Sequence, residues 1–62
     1  MNIRYDREED ILTYEVSPNK IDYAEELNSI IVHFTKEGKP VLLEILNASD
    51  FIAQTTRAAI TA

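Results

Sequence analysis

Four carboxylates crowd five positions at Asp6, Glu8, Glu9 and Asp10. Oxygen-rich clusters of this kind hold calcium or magnesium, but the spacing lacks the central glycine and terminal glutamate of an EF-hand loop. A solvated hairpin loop uses the same charge for solubility, and Asp10, next to a strand, is placed to accept hydrogen bonds from loop amides. His33 is the single histidine, and Glu44 follows on the facing strand, so a His–carboxylate pair for general acid–base chemistry is conceivable. Such chemistry needs a pocket and a tuned pKa as well, and a 62-residue sheet has little room for a cavity of several hundred Å³. Ser49 has no base near it and reads as a helix cap. Arg57 suits the negative end of the same helix. Tyr5, Tyr14, Tyr23, Phe34 and Phe51 are spaced as core positions, without the flanking bases of a nucleic-acid stacking platform. No catalytic, metal or cofactor site is expected. An enzyme or metal-dependent site built on Asp6, Asp10, His33 and Glu44 is the alternative, and it requires groups on different hairpins to converge.

The elements carrying these residues follow from apolar alternation. Ile3 and Tyr5 alternate with polar neighbours, as do Leu12, Tyr14 and Val16. Keeping them on one face pairs Tyr5 with Leu12, Ile3 with Tyr14 and Met1 with Val16, because a one-residue slip would scramble the faces. Arg4 then faces Thr13 and lies diagonal to Glu15, within reach of a cross-strand charge pair. Ser17-Pro18-Asn19 is turn chemistry. Residues 20–27 are ambiguous: Ile21, Ala24 and Leu27 fit a helix, whereas Ile21, Tyr23 and Leu27 fit a strand interrupted at Glu25. Periodicity leans to the strand.

The second hairpin turns at Gly38 and pairs Phe34 with Val41, Val32 with Leu43 and Ile30 with Ile45 on an apolar face. The reverse face sets Ile31 against Glu44, His33 against Leu42 and Ser29 against Leu46. That face is half apolar and calls for a cover, either the terminal helix or a second subunit. Ser49 as N-cap and Asp50 in the first turn predict a helix over 50–59, with the last residues frayed. Its apolar stripe is Phe51, Ile52, Thr55, Ala58 and Ala59, narrow enough for close approach to the sheet.

Composition bounds the partners. A chain this short buries only about 60% of its unfolded surface, which makes oligomerisation a physical expectation. It contains no cysteine, so neither disulfides nor thiolate–zinc sites add stability, and a small secreted scaffold is disfavoured. No apolar run exceeds three or four residues, and the start carries no signal-peptide pattern. A cytoplasmic location is expected, with no membrane contact. Residues 1–31 hold eight acids against three bases, while residues 32–62 hold three of each, for a net charge of −5. Excess negative charge repels phosphate backbones, so no direct nucleic-acid binding is expected.

One family shares this pattern. Tyr5-Asp6, Asp10-Ile11-Leu12, Lys20-Ile21, Glu25-Glu26-Leu27, Ile31-Val32, Gly38 and Glu44-Ile45-Leu46-Asn47-Ala48-Ser49 together resemble the small YuzE-like prokaryotic family known as domain of unknown function number twenty-two eighty-three. The resemblance reaches to about Ser49, and Glu-Ile-Leu-x-Ala-Ser is its most specific piece. The family usually has an acid at the position of His33, another near Thr35, and a glycine at Leu42, so an acidic site on that hairpin is not implied here. The resemblance implies strand over 20–27. It brings no established activity, and gene association with small toxin-like proteins implies an antitoxin-like role.

The expected architecture is therefore α+β, an antiparallel β-meander of about four to five strands in two hairpins with one C-terminal helix. Residues 1–62 form a single domain, with strands about 1–6, 11–17, 20–27, 29–35 and 40–46. The expected function is that of a small acidic interaction module, not an enzyme, acting as a homo-oligomer such as a homodimer or binding a basic protein partner. Its expected contact surface is Ile31, His33, Leu42, Glu44 and Leu46, so Leu42→Asp should abolish association.

Overall fold

The computed structural model describes residues 2–61, with side chains described through residue 59. The fold is α+β: one five-stranded antiparallel sheet followed by one helix. The strands are β1 (Asn2–Asp6), β2 (Ile11–Glu15), β3 (Tyr23–Leu27), β4 (Ile30–Phe34) and β5 (Pro40–Leu46), and the helix is α1 (Ala48–Thr61). In space they run β1-β2-β5-β4-β3. The longest strand, with apolar residues on both sides, takes the central place between the hairpins. Residues 16–22 consequently carry the chain from β2 across to the far edge of the sheet. Residues 20–27 resolve as an extended approach, in which Asp22 N–H donates to the Phe34 carbonyl, leading into the edge strand β3.

Side-chain alternation sets the register. Ile3 faces Tyr14, Tyr5 faces Leu12 and Arg4 faces Thr13, as the shared apolar face requires. The expected Met1–Val16 pair lies outside the described residues. The ladder of β2 ends at Glu15, short of residue 17, and the N–H groups of Val16 and Ser17 both donate to the Val41 carbonyl. On the second hairpin Ile30 faces Ile45, Val32 faces Leu43, Ile31 faces Glu44 and His33 faces Leu42. Phe34, however, faces Pro40 and not Val41, because a register shift falls between His33 and Phe34. Gly38 takes the turn at φ +84°, where a side chain would be strained. The Thr35 hydroxyl accepts the Lys39 N–H inside the same turn.

Two differences concern the helix. It begins at Ala48 and continues to Thr61, beyond the expected 50–59, so Arg57 stands short of the last turn, which contains no basic residue. More consequentially, α1 covers little of the sheet: all side chains from Ser49 to Ala59 are exposed, and only Ala48 is buried. The radius of gyration is 12.9 Å, against about 10.6 Å for a compact chain of this length. Among the described residues only Val41, Ile45, Ala48 and Thr35 are buried.

Candidate functional site

The register divides the sheet into two unlike faces. The first carries Ile3 and Tyr5 from β1, Leu12 and Tyr14 from β2, Leu43 and Ile45 from β5, Ile30, Val32 and Phe34 from β4, and Tyr23, Glu25 and Leu27 from β3. Glu25 is its one charged member. Tyr23 and Phe34 stack across the β3–β4 pair with ring centroids 5.2 Å apart. This is the face expected to form the core, yet it is covered only in part: Ile45 is buried and Phe51 of α1 stands beside Leu27, Ile30 and Ile45, while the margins stay open. Ile3 is 61% exposed and Leu27 is 75% exposed.

The second face brings together all five residues of the expected contact surface. Ile31, His33, Leu42, Glu44 and Leu46 are half-buried neighbours on β4 and β5, joined by Ile11 and Thr13 from β2. His33 and Glu44 are diagonal in the ladder, and long side chains reach across that diagonal. His33 Nε2 and Glu44 Oε1 lie 2.6 Å apart. A neutral imidazole with its proton on Nε2 makes this a hydrogen bond, and a protonated ring makes it an ion pair. The polar pair is thus satisfied within the chain. No ion pair forms between Arg4 and Glu15 among the described residues.

The carboxylate loop is organised for a different purpose. Asp6 Oδ1 accepts the N–H groups of Glu8 and Glu9, closing the loop on itself. Asp10 sits in the left-handed region at φ 55°. Its carboxylate accepts the Tyr5 hydroxyl at 2.6 Å, the Ser49 N–H at 3.0 Å and the Ser49 hydroxyl at 2.7 Å. Its backbone carbonyl also accepts the Ala48 N–H at 2.9 Å. Asp10 therefore fastens the start of α1 to the first hairpin and fills two helix N–H groups that would otherwise lack partners. The Tyr5 hydrogen bond foremost, then those from Ser49, hold the Asp10 carboxyl below the usual carboxylate value. The same bond to Asp10 raises the Tyr5 phenol above its usual value.

This corrects the reading of Ser49. It lies inside the first turn, and the cap position belongs to Asn47, in the left-handed region at φ 52°, whose carbonyl accepts the N–H groups of Asp50 and Phe51. Asn47 was legible as a cap, since asparagine ranks with serine there. The Asp10 contact, 39 positions from Ser49, had no local signal. Two-residue turn chemistry at Asn28-Ser29, with Asn28 at φ 55°, was likewise readable from residue type.

The four residues of the enzyme alternative are divided between two places. Asp6 and Asp10 belong to the loop at the helix end, where Asp10 is fully engaged, while His33 and Glu44 stand on the open second face. Among the described residues, no three His, Asp or Glu side chains are grouped to hold a metal ion, and no helix is long and apolar enough to cross a membrane. A cleft of about 380 Å³ opens where α1 leaves the sheet, between Leu27, Ile30 and Ile45 on the first face and Phe51 and Gln54 on the helix. It is continuous with the apolar face.

No curated protein and no solved structure matches the chain. A family model described as "Protein of unknown function (DUF2283)" matches residues 2–49, all five strands and the start of the helix, and the chain belongs to that family.

Proposed function

We propose that the chain is an interaction module that completes its fold by self-association, with the apolar first face of the sheet as the working surface. One observation carries this reading. The chain has a solvent-accessible surface of 4996 Å², whereas a compact monomer of 7.1 kDa exposes roughly 4,100 Å². The excess of about 900 Å² matches the roughly 800 Å² that each partner contributes to a standard specific interface. Of the large apolar side chains left open, Ile3, Tyr5, Tyr23 and Leu27 lie on that one face, while Ile21 precedes β3 and Phe51 and Ile52 belong to α1.

Pairing along an open strand edge is less favoured. The free edge of β3 presents Glu25 and Glu26, and a second copy would bring the same charges against them. The second face is the lesser candidate because its His33–Glu44 pair is already satisfied and its margins carry Arg4, Asp6, Glu15 and Glu26. The charge asymmetry supports one other occupant, a basic protein captured by the acidic first half, as an antitoxin-like role would require. Light scattering on the purified chain across a dilution series separates the two. A particle of twice the chain mass that dissociates on dilution is expected. A folded monomer at every concentration would overturn self-association and leave the basic partner.

A further inference from the structure

The sheet lacks a layer, and the helix lacks a surface. Both deficits occur in one chain: the first face is apolar and only partly covered, open at Ile3, Tyr5, Tyr23 and Leu27, and α1 carries the stripe Phe51, Ile52, Thr55, Ala58 and Ala59 into solvent. Its 14 residues span about 21 Å at 1.5 Å per residue, and five strands about 4.8 Å apart span about 19 Å. The helix is long enough to cross the whole sheet. As it is fastened, it reaches its own sheet only at the near end, where Phe51 stands beside Leu27, Ile30 and Ile45. Asn47 turns the chain in the left-handed region, Asp10 pins Ala48 and Ser49, and α1 then leaves the sheet beside the cleft at Leu27 and Ile30.

Resting on the self-association reading, we propose that the dimer is built by reciprocal exchange of helices: α1 of each copy lies across the apolar first face of the other. A second copy is the occupant that satisfies both deficits at once, since the surface each chain exposes is the one its twin's helix needs. A twofold arrangement makes the two contacts identical and leaves no apolar surface to propagate a filament. The cleft marks the place where the chain's own helix and the incoming helix meet, because its walls belong to both the open face and Phe51. The small residues Ala58 and Ala59 allow the far half of the helix to approach the sheet closely, where Leu43 and Val32 stand at the centre of the face.

Because the chain has no cysteine, engineered pairs report the geometry without background. Chains carrying Thr55→Cys and Leu43→Cys are prepared separately, one isotopically labelled, then mixed under native conditions and oxidised. Disulfide-linked peptides are read by mass spectrometry, and the circular dichroism of each variant is matched to that of the unmodified chain. Ile52→Cys with Val32→Cys serves as a second pair should either variant misfold. Exchange predicts a helix-to-sheet disulfide between labelled and unlabelled chains as the main product. A dimer linked only between two Leu43→Cys chains would overturn the exchange while leaving self-association standing, since the sheets would then meet face to face. A doubly substituted chain that closes on itself at high dilution would overturn it too, by placing the helix on its own sheet. Absence of any covalent dimer, with a monomeric mass by light scattering, would overturn both readings together.

Discussion

The carboxylate of Asp10 grips Ser49 twice, through the backbone N–H at 3.0 Å and the hydroxyl at 2.7 Å, across 39 positions of chain. A loop residue thereby performs the capping that helices usually obtain from a neighbour. If this grip sets where the helix begins and which way it leaves, removing it should unwind the first turn without disturbing the sheet. Asp10→Gly suits the left-handed backbone at φ 55° and removes every side-chain acceptor. Asp10→Asn keeps one acceptor oxygen. The far-ultraviolet helix signal is expected to fall by about one turn's worth in the glycine variant and by less in the asparagine variant, with amide exchange faster at Ala48 and Ser49. Equal protection in all three proteins would show that Asn47 and the Asp10 backbone carbonyl hold the helix start without the Asp10 side chain.

The Tyr5–Asp10 bond predicts a stability plateau with two edges. Asp10 has its carboxyl held low, first by Tyr5 and then by Ser49, so folding favours the ionised form. That contribution is in place above the usual carboxylate value of 3.8 and is lost as the pH falls through the lower folded value. Tyr5 has its phenol raised, chiefly by the same bond, so folding favours the protonated form. Its contribution is complete below the usual 10.0 and disappears as the pH climbs through the raised value. Urea midpoints measured from pH 2 to pH 12 should therefore be flat, as far as this pair is concerned, between about 4 and 10. In Tyr5→Phe the alkaline edge due to this residue should be absent, and the Asp10 carboxyl, followed by NMR, should titrate at higher pH than in the unmodified chain. An unmoved Asp10 titration would mean that the bond does not persist in solution.

Asn28 tests the turn that joins β3 to β4. Its φ of 55° is costly for a β-branched residue and free for glycine. Asn28→Val is expected to destabilise the fold by about 1–2 kcal/mol, and Asn28→Gly to be close to neutral. Urea denaturation gives both values. A valine variant as stable as the glycine variant would show that β3 and its turn contribute little to cooperative unfolding.

The first-hairpin register was legible because period-two alternation admits one solution: moving Tyr5 by one position sets it against Ile11 and turns Leu12 to the wrong face. The second hairpin followed the same logic until Phe34, where a shift in pairing left no mark in the residue pattern. Strand order was beyond this reasoning, since residues 16–22 can reach either edge and only the ladder between β2 and β5 decides. The pairing of His33 with Glu44 was visible as a diagonal, although its 2.6 Å contact depended on side-chain reach. The incompletely covered first face was the least legible feature. A sequence shows which residues want burial, but whether α1 supplies it depends on the backbone at Asn47 and on a long-range contact from Asp10.

Adjacent residues on the central strand decide which face associates. Leu42 and Leu43 point to opposite sides of the sheet, Leu42 beside Glu15 and His33, and Leu43 beside Tyr14 and Val32. Leu43→Asp would place an unpaired carboxylate in the middle of the buried surface, a cost of several kcal/mol, so dimer dissociation should rise by on the order of a hundredfold or more. Leu42→Asp places the same charge on the second face, and little change in association is expected. Both residues are half-buried, so a lost dimer could follow from a lost fold. Leu27→Asp removes that ambiguity: Leu27 stands on the first face but is 75% exposed in the single chain, which leaves a monomer free to fold around the charge. Sedimentation equilibrium should show weakened association for Leu43→Asp and Leu27→Asp alike, with native circular dichroism retained in the latter. If Leu42→Asp were the variant that dissociates while Leu27→Asp remained dimeric, the working surface would be Ile31, His33, Leu42, Glu44 and Leu46, and the apolar first face would need a different cover.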